Sequence, residues 1–254
     1  MVENMSNSTP NDLTATEPLS PELSSIVRCY KNGIPFEGWN YVRDYHFDNM
    51  TMHLYSRCRG SSTLKEFLVH GDIDVCKEKL IELILMMKQR SEWDETYVEH
   101  KVLRPLENGT DVVFTVSKYP FPLAKRLYTI KRSLYGSMDD VVVLATKVIP
   151  YDCPNTIRWS TRVDDFDSNL IVGDIKGKPD HCHMIATLYE DPKVILPNMY
   201  LNIIIETLVP RILRKMIAAC KQYCNDDSKE LCRQLVCIPL DYKGESPSAT
   251  ENSA

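Results

Sequence analysis

Between residues 96 and 190 the chain falls into about six apolar runs, near 96–103, 111–119, 127–135, 140–149, 156–173 and 181–190. The turns between them are short and carry Asn-Gly, Tyr-Gly or proline. Antiparallel neighbours can be joined by a few residues, whereas parallel neighbours need a long crossover. The spacing therefore predicts one large, mostly antiparallel sheet. Three further strand-like runs, 38–47, 50–58 and 62–70, precede it and are separated by Asp48-Asn49 and Gly60-Ser61.

Three segments have the period of a helix. Ser24 to Lys31 is short and is ended by Asn32-Gly33 and Pro35. A second follows Asp72 or Asp74, either of which can cap it, and repeats Val75, Leu80, Leu83, Ile84 and Met87. The third, about 197–224, starts with Pro197 in its first turn and carries an apolar stripe from Leu201 through Ile204, Ile205, Leu208, Ile212 and Met216 to Tyr223. Pro210 lies inside it and removes the bond to the carbonyl of Glu206, so a kink is expected there. Ile203 and Val209 lie off the stripe, so the first half is apolar nearly all round and wants two apolar partners.

The stretch SKYPFPLAKRLYTIKR, 117–132, puts Tyr128, Ile130 and Arg132 on one face of a strand. If the first two point inward, so does the arginine, which then needs either a carboxylate such as Asp111 or Asp164, or a bound anion.

Composition narrows the function. A net charge of −5 speaks against a general nucleic-acid binder. Nine cysteines, irregularly spaced and none in a CxxC pair, fit a reducing compartment better than a disulfide framework. No secretory leader or membrane-spanning run is visible, so a cytoplasmic location is expected. The expected organisation is a disordered segment over 1–22, one domain over 23–226 and a polar, largely disordered tail over 227–254. No nucleophile elbow, P-loop or dinucleotide fingerprint is present, so neither an enzyme nor a cofactor is expected. His181 and His183 share a strand face, but no further ligands stand at a spacing that would complete a metal site.

Five stretches in this order, RSEWDETY (90–97), VVFTVSKYPFPLAKRLYTIKR (112–132), TIRW (156–159), LYEDPKVILPNMYLN (188–202) and VPRILRKMIAACKQY (209–223), resemble the START family of lipid-binding domains. The similarity is greatest to its phosphatidylcholine transfer branch. The resemblance implies an α+β helix-grip fold, in which a curved antiparallel sheet wraps a long C-terminal helix around an apolar tunnel. It implies a monomer carrying one phospholipid, with the helix and a neighbouring loop forming a lid in transient contact with a membrane.

By position in the motifs, Arg90 corresponds to an arginine on the lipid phosphate, although as a helix-end residue it can equally offset a helix dipole. Asp94 matches the aspartate of the family's Trp-Asp pair, and Tyr128 a tyrosine of the choline cage, or else a core residue. Thr115 and Arg162 stand where that cage has a tryptophan and a second tyrosine, which departs from the pattern for choline. The sterol branch has a buried acid–arginine pair at the positions of Thr115 and Arg132, and here the acid is missing. Leu201, Ile204, Ile205, Leu208 and Ile212 are expected to wall the tunnel. Tyr119, Phe121 and Lys125 are expected at the membrane, with hinges in the Tyr119–Pro122 loop, the Pro150–Pro154 loop and at Pro210. The alternatives are a lipid-sensing module that binds a sterol or another lipid and signals to a protein partner, and a small-molecule enzyme on the same fold.

Overall fold

The computed structural model describes residues 16–48, 50–60, 64–85, 90–121, 123–150, 157–191, 193–194, 198–225 and 227–240. Helix α1 (Pro21–Asn32) starts earlier than the periodicity implies, because Ser20 accepts the Leu23 N–H at 3.2 Å and Pro21 supplies a pre-set φ for the first turn. It ends where Gly33 takes a left-handed conformation, φ +63°.

Ten strands follow: β1 (Asn40–Phe47), β2 (Met50–Cys58), β3 (Lys65–Ile73), β4 (Tyr97–Glu107), β5 (Thr110–Ser117), β6 (Lys125–Gly136), β7 (Val141–Val148), β8 (Ser160–Arg162), β9 (Phe166–Ile175) and β10 (Lys178–Glu190). They form one sheet in the order β1-β2-β3-β10-β9-β7-β6-β5-β4, antiparallel throughout apart from β8, which runs parallel to β6. The predicted antiparallel sheet is present. The Asn108-Gly109 turn has φ of +49° and +77°, the left-handed pair that lets a two-residue hairpin follow the strand twist.

The single run expected over 156–173 is two strands, because it serves two neighbours. β8 lies on β6, with the Val163 N–H on the Leu127 carbonyl. β9 lies between β7 and β10. The chain crosses between them at Val163–Asp165.

Helix α2 (Lys77–Leu85) begins beyond the two aspartates expected to cap it. Asp72 belongs to β3 and receives His183 Nδ1 at 2.7 Å, and Asp74 receives Lys221 at 2.5 Å. The short helix α3 (Arg90–Trp93) follows. The C-terminal helix is built as α4 (Asn198–Ile203), a π-helical turn (Ile204–Leu208) and α5 (Val209–Tyr223). Pro197 and the 151–154 part of the second expected hinge lie outside the described residues, as do 1–15 and 241–254.

Both expected boundaries of the domain move outward. Residues 16–20 are docked on the sheet, where Glu17 pairs with Lys131 and Lys147 and its carbonyl receives the Tyr135 hydroxyl at 3.0 Å. On the C-terminal side, residues 227–240 are not a loose polar tail. Helix α6 (Ser228–Arg233) sends its buried Cys232 to the Glu78 carbonyl, and Ile238 joins the sheet beside Tyr135. None of the described cysteines is in a disulfide.

The concave face carries Met52, Leu54, Leu134, Leu144, Val172 and Met184 against α2 and α5. The convex face carries Leu68, Val143, Ile171 and Ile185 against Leu23, Ile26 and Val27 of α1. On that convex face three imidazoles sit in a row, His70 lying 5.2 Å from His53 and 5.5 Å from His183. His53 and His183 are held by Asp44 and Asp72. His70 Nδ1 has no hydrogen-bond partner. Burial, reinforced by its two histidine neighbours, pulls its pKa down to about 4.

A histidine depressed in the folded state takes up its proton first in the unfolded chain. Stability is therefore intact above pH 6.5 and falls as pH drops towards 4. Since solvent still reaches part of the ring, the expected loss from pH 7 to pH 5 is about 1 kcal/mol. Urea midpoints at the two pH values should show it in the native sequence and show a smaller difference in His70→Phe. Equal differences would mean that His70 is not the group responsible.

Candidate ligand-binding site

Between α4–α5 and the concave face lies a cavity of about 1030 Å³. All five helix residues expected to wall it, Leu201, Ile204, Ile205, Leu208 and Ile212, line it, facing Leu54, Phe67, Val69, Leu144, Leu170 and Met184 from the sheet. The expected disturbance at Pro210 takes a specific form. The Val209 N–H reaches back five residues to the Ile204 carbonyl, giving a π turn immediately before the proline. The Ile205 carbonyl in that turn receives the Tyr45 hydroxyl at 2.7 Å, and burial raises the pKa of that phenol to about 12.

Arg132 does point inward, and the carboxylate that meets it is Asp111, its direct cross-strand neighbour on β5. The pair is bidentate: Nε donates to Oδ1 at 2.8 Å and a terminal nitrogen to Oδ2. The other terminal nitrogen donates to the Ile84 carbonyl at 3.1 Å, tying the sheet to the end of α2. The acid that seemed to be missing is therefore present, supplied four residues before Thr115. Asp164, the other candidate, pairs with Lys193.

Arg90 donates to Asp94 at 3.1 Å, and Asp94 is buried and also receives the Thr96 N–H and hydroxyl at 3.0 and 2.6 Å. The guanidinium lies over the rings of Trp93 and Tyr97, at 5.3 and 5.7 Å. Arg90, Asp94, Thr115, Tyr128 and Arg132 all line the cavity. So does Tyr97, whose buried hydroxyl has no partner and whose pKa is pushed up by burial.

Arg162 does not take part. It is exposed on β8 and donates to Thr129, which alternates with the inward Tyr128 and Ile130. Tyr119 also departs from expectation. It lines the cavity instead of facing outward, with the buried Arg126 guanidinium 4.8 Å from its ring. Aromatic surface around Tyr128 comes from Tyr119 and from Phe166, 5.1 Å away.

Phe121 and Lys125 are exposed, Phe121 at 92%. Two large apolar residues that no strand or helix pattern singled out are exposed as well, Trp159 at 79% and Met199 at 62%. Trp159 sits beside Lys125, whose N–H it receives at 3.2 Å, and its backbone is left-handed, φ +60°. The run read as one strand over 156–173 includes Trp159, which hid it among residues expected to pack.

Residues 36–226 match the START domain. The chain belongs to the START domain family. Proteins of this family bind and transfer lipids. The chain is 21% identical over 220 residues to human StAR-related lipid transfer protein 7, mitochondrial, a match that covers 85% of this chain and 58% of that protein. Against the rat phosphatidylcholine transfer protein it is 26% identical over 175 residues, covering 67% and 79%. Among solved structures, human STARD10 superposes with a TM-score of 0.67 at 20% identity, covering 86% of each chain. Human StAR-related lipid transfer protein 5 gives a TM-score of 0.65 at 12% identity, covering 80% and 96%. The helix-grip architecture of this START chain is thus shared with solved members of the family.

Proposed function

We propose that this START chain carries a single phospholipid in the cavity and exchanges it between membranes without chemical change. The reading rests on one juxtaposition: a large apolar hollow with Arg90, Arg132 and the unpartnered Tyr97 hydroxyl in its wall. Apolar lining returns about 0.8 kcal/mol for each acyl CH2 that it buries, and a phosphate taken out of water needs charge-assisted donors of the kind these residues supply. Similarity to phosphatidylcholine transfer proteins supports the same ligand class. In this reading the protein works as a cytoplasmic monomer and meets the bilayer transiently through Phe121, Trp159 and Met199, with Lys125 beside them for anionic head groups.

The test is native mass spectrometry of the purified chain, followed by denaturing extraction and identification of what it carries. A stoichiometric phospholipid is the expected result. Arg90→Ala should reduce loading about tenfold, the loss of one charge-assisted bond. It should leave the fold intact, because Asp94 keeps its two bonds from Thr96. Undiminished loading by the variant would remove Arg90 from the site. The buried Asp111–Arg132 pair in the wall favours a second reading, a sterol carrier or sensor, because the pair leaves fewer donors for a phosphate. A sterol in the extract would decide for it.

A further inference from the structure

A carboxylate stands in the cavity wall at the end of β10. β7 pairs with β6 as far as Val148, opposite Ile130; beyond it the Ile149 N–H bonds the Thr129 carbonyl and β8 runs along residues 125–127. At the same level β9 starts at Phe166, paired with Glu190 at the end of β10. β8 and the Val163–Asp165 crossing fill the space between β6 and β9 there, and side chains link the two sides of the crossing. Tyr128 reaches across it and donates its hydroxyl to Glu190 Oε1 at 3.1 Å, and the Tyr119 hydroxyl bonds the same carboxylate. Tyr119, Tyr128, Phe166 and Glu190 all face the cavity.

Asp191, Lys193 and, on the neighbouring β3, Lys65 line the cavity on the same side as Glu190. Arg126 and Asp191 act on it with opposite sign, and burial outweighs the arginine and both tyrosines, raising its pKa. A carboxylate has about four acceptor positions. Two tyrosine hydroxyls leave about half of them open, towards an apolar hollow.

The opposite side of Tyr128 carries Arg90 and Lys118. Thr115 is its cross-strand partner on β5, and beyond β5 come β4 and the Arg90–Asp94 turn, with Lys118 also in the wall. Arg90, paired with Asp94, and Lys118 thus lie on the β4–β5 side and Glu190 on the β10 side, with the Tyr128 ring between. A zwitterionic head group laid across Tyr128 would bring its phosphate to Arg90 and its cationic end to Glu190.

We infer that Glu190 accepts the cationic end of the bound phospholipid and selects a primary ammonium over a trimethylammonium head group. A primary ammonium brings N–H donors to the open carboxylate positions. A trimethylammonium brings none, so it strips water from the carboxylate and returns no hydrogen bond. This selectivity rests on the phospholipid reading above.

The experiment offers the delipidated full-length chain vesicles with equal amounts of phosphatidylethanolamine and phosphatidylcholine of identical acyl chains. Native mass spectrometry counts each complex. The expected outcome is about a tenfold excess of the ethanolamine lipid, the discrimination of one hydrogen bond to a charged group. In Glu190→Gln the ratio of ethanolamine to choline lipid should fall close to unity. A second series needs no variant: the mono- and dimethylated ethanolamine lipids should load progressively less well as N–H groups are removed.

Equal loading of all head groups, or an excess of choline lipid, overturns the inference and leaves the carrier reading standing. An undiminished excess in Glu190→Gln also overturns it. If the native sequence loads neither lipid, the carrier reading fails and the selectivity fails with it.

Discussion

Asp111→Ala is expected to destabilise the protein by about 3–5 kcal/mol, the cost of leaving a buried guanidinium without its carboxylate. Arg132 is buried, and Asp111 supplies both oxygens of its bidentate partner. For a chain of this size that is a fall of about 10 °C in melting temperature. Removing the whole pair, as Asp111→Leu with Arg132→Met, should cost far less, since apolar groups of similar volume replace two desolvated charges. The surviving loss would be the bond to the Ile84 carbonyl. Urea unfolding of the single and double variants checks this, and a double variant as unstable as the single would mean that the ion pair itself holds the fold. Added phospholipid gives a further readout. If its phosphate reaches Arg132, the ligand should raise the melting temperature of Asp111→Ala more than that of the native chain.

Leu208→Asp is expected to abolish lipid loading while the protein stays folded. Leu208 is only partly buried and looks into the cavity from the π turn. Without ligand, an aspartate there can stay hydrated in the hollow. An incoming acyl chain would have to strip that hydration, at several kcal/mol, enough to cancel the burial of several methylenes. Leu208→Met, which keeps an apolar wall of similar volume, should load normally. The check is native mass spectrometry of both variants after exposure to vesicles, with circular dichroism to establish folding. A folded Leu208→Asp that still carries lipid would show that this helix is not the tunnel wall.

Much of the architecture was legible from local signals. Asn108-Gly109 demands a tight hairpin whatever surrounds it, and the stripe from Leu201 to Ile212 has one face to bury in any fold. Both signals are carried by neighbours in sequence. The misread features depend on neighbours in space. Asp111 and Asp164 were equal candidates for Arg132 until the β5–β6 register placed Asp111 opposite it. Residues 156–173 read as one strand because period and composition do not reveal that β8 and β9 have different partners.

The tail beyond 226 reads as polar because α6 buries little apart from Ser228 and Cys232, against α2 far away in the sequence. Of the site, the helix wall, Arg90 and Tyr128 were readable. Glu190 was not, since a glutamate before Asp191-Pro192 looks like the polar end of a strand. Tyr119 was misplaced because a proline-flanked aromatic in a loop looks the same whether it turns out or in.

The sheet has two free edges, β1 and β4, and the C-terminal helix lies across the mouth between them. It is the last stave of an unfinished barrel, and its seams hold no ladder of main-chain bonds. On the β1 side the Arg214 guanidinium rests on the Phe47 ring and Arg43 faces Glu206 at 3.6 Å. On the other side Arg211 and Lys215 both meet Glu95, just before β4. A closed barrel admits cargo only by tearing strands apart. This vessel can be unlaced along two rows of side chains, whose exposed ion pairs are each worth little in water, while the frame that shapes the cargo keeps every one of its strand pairings.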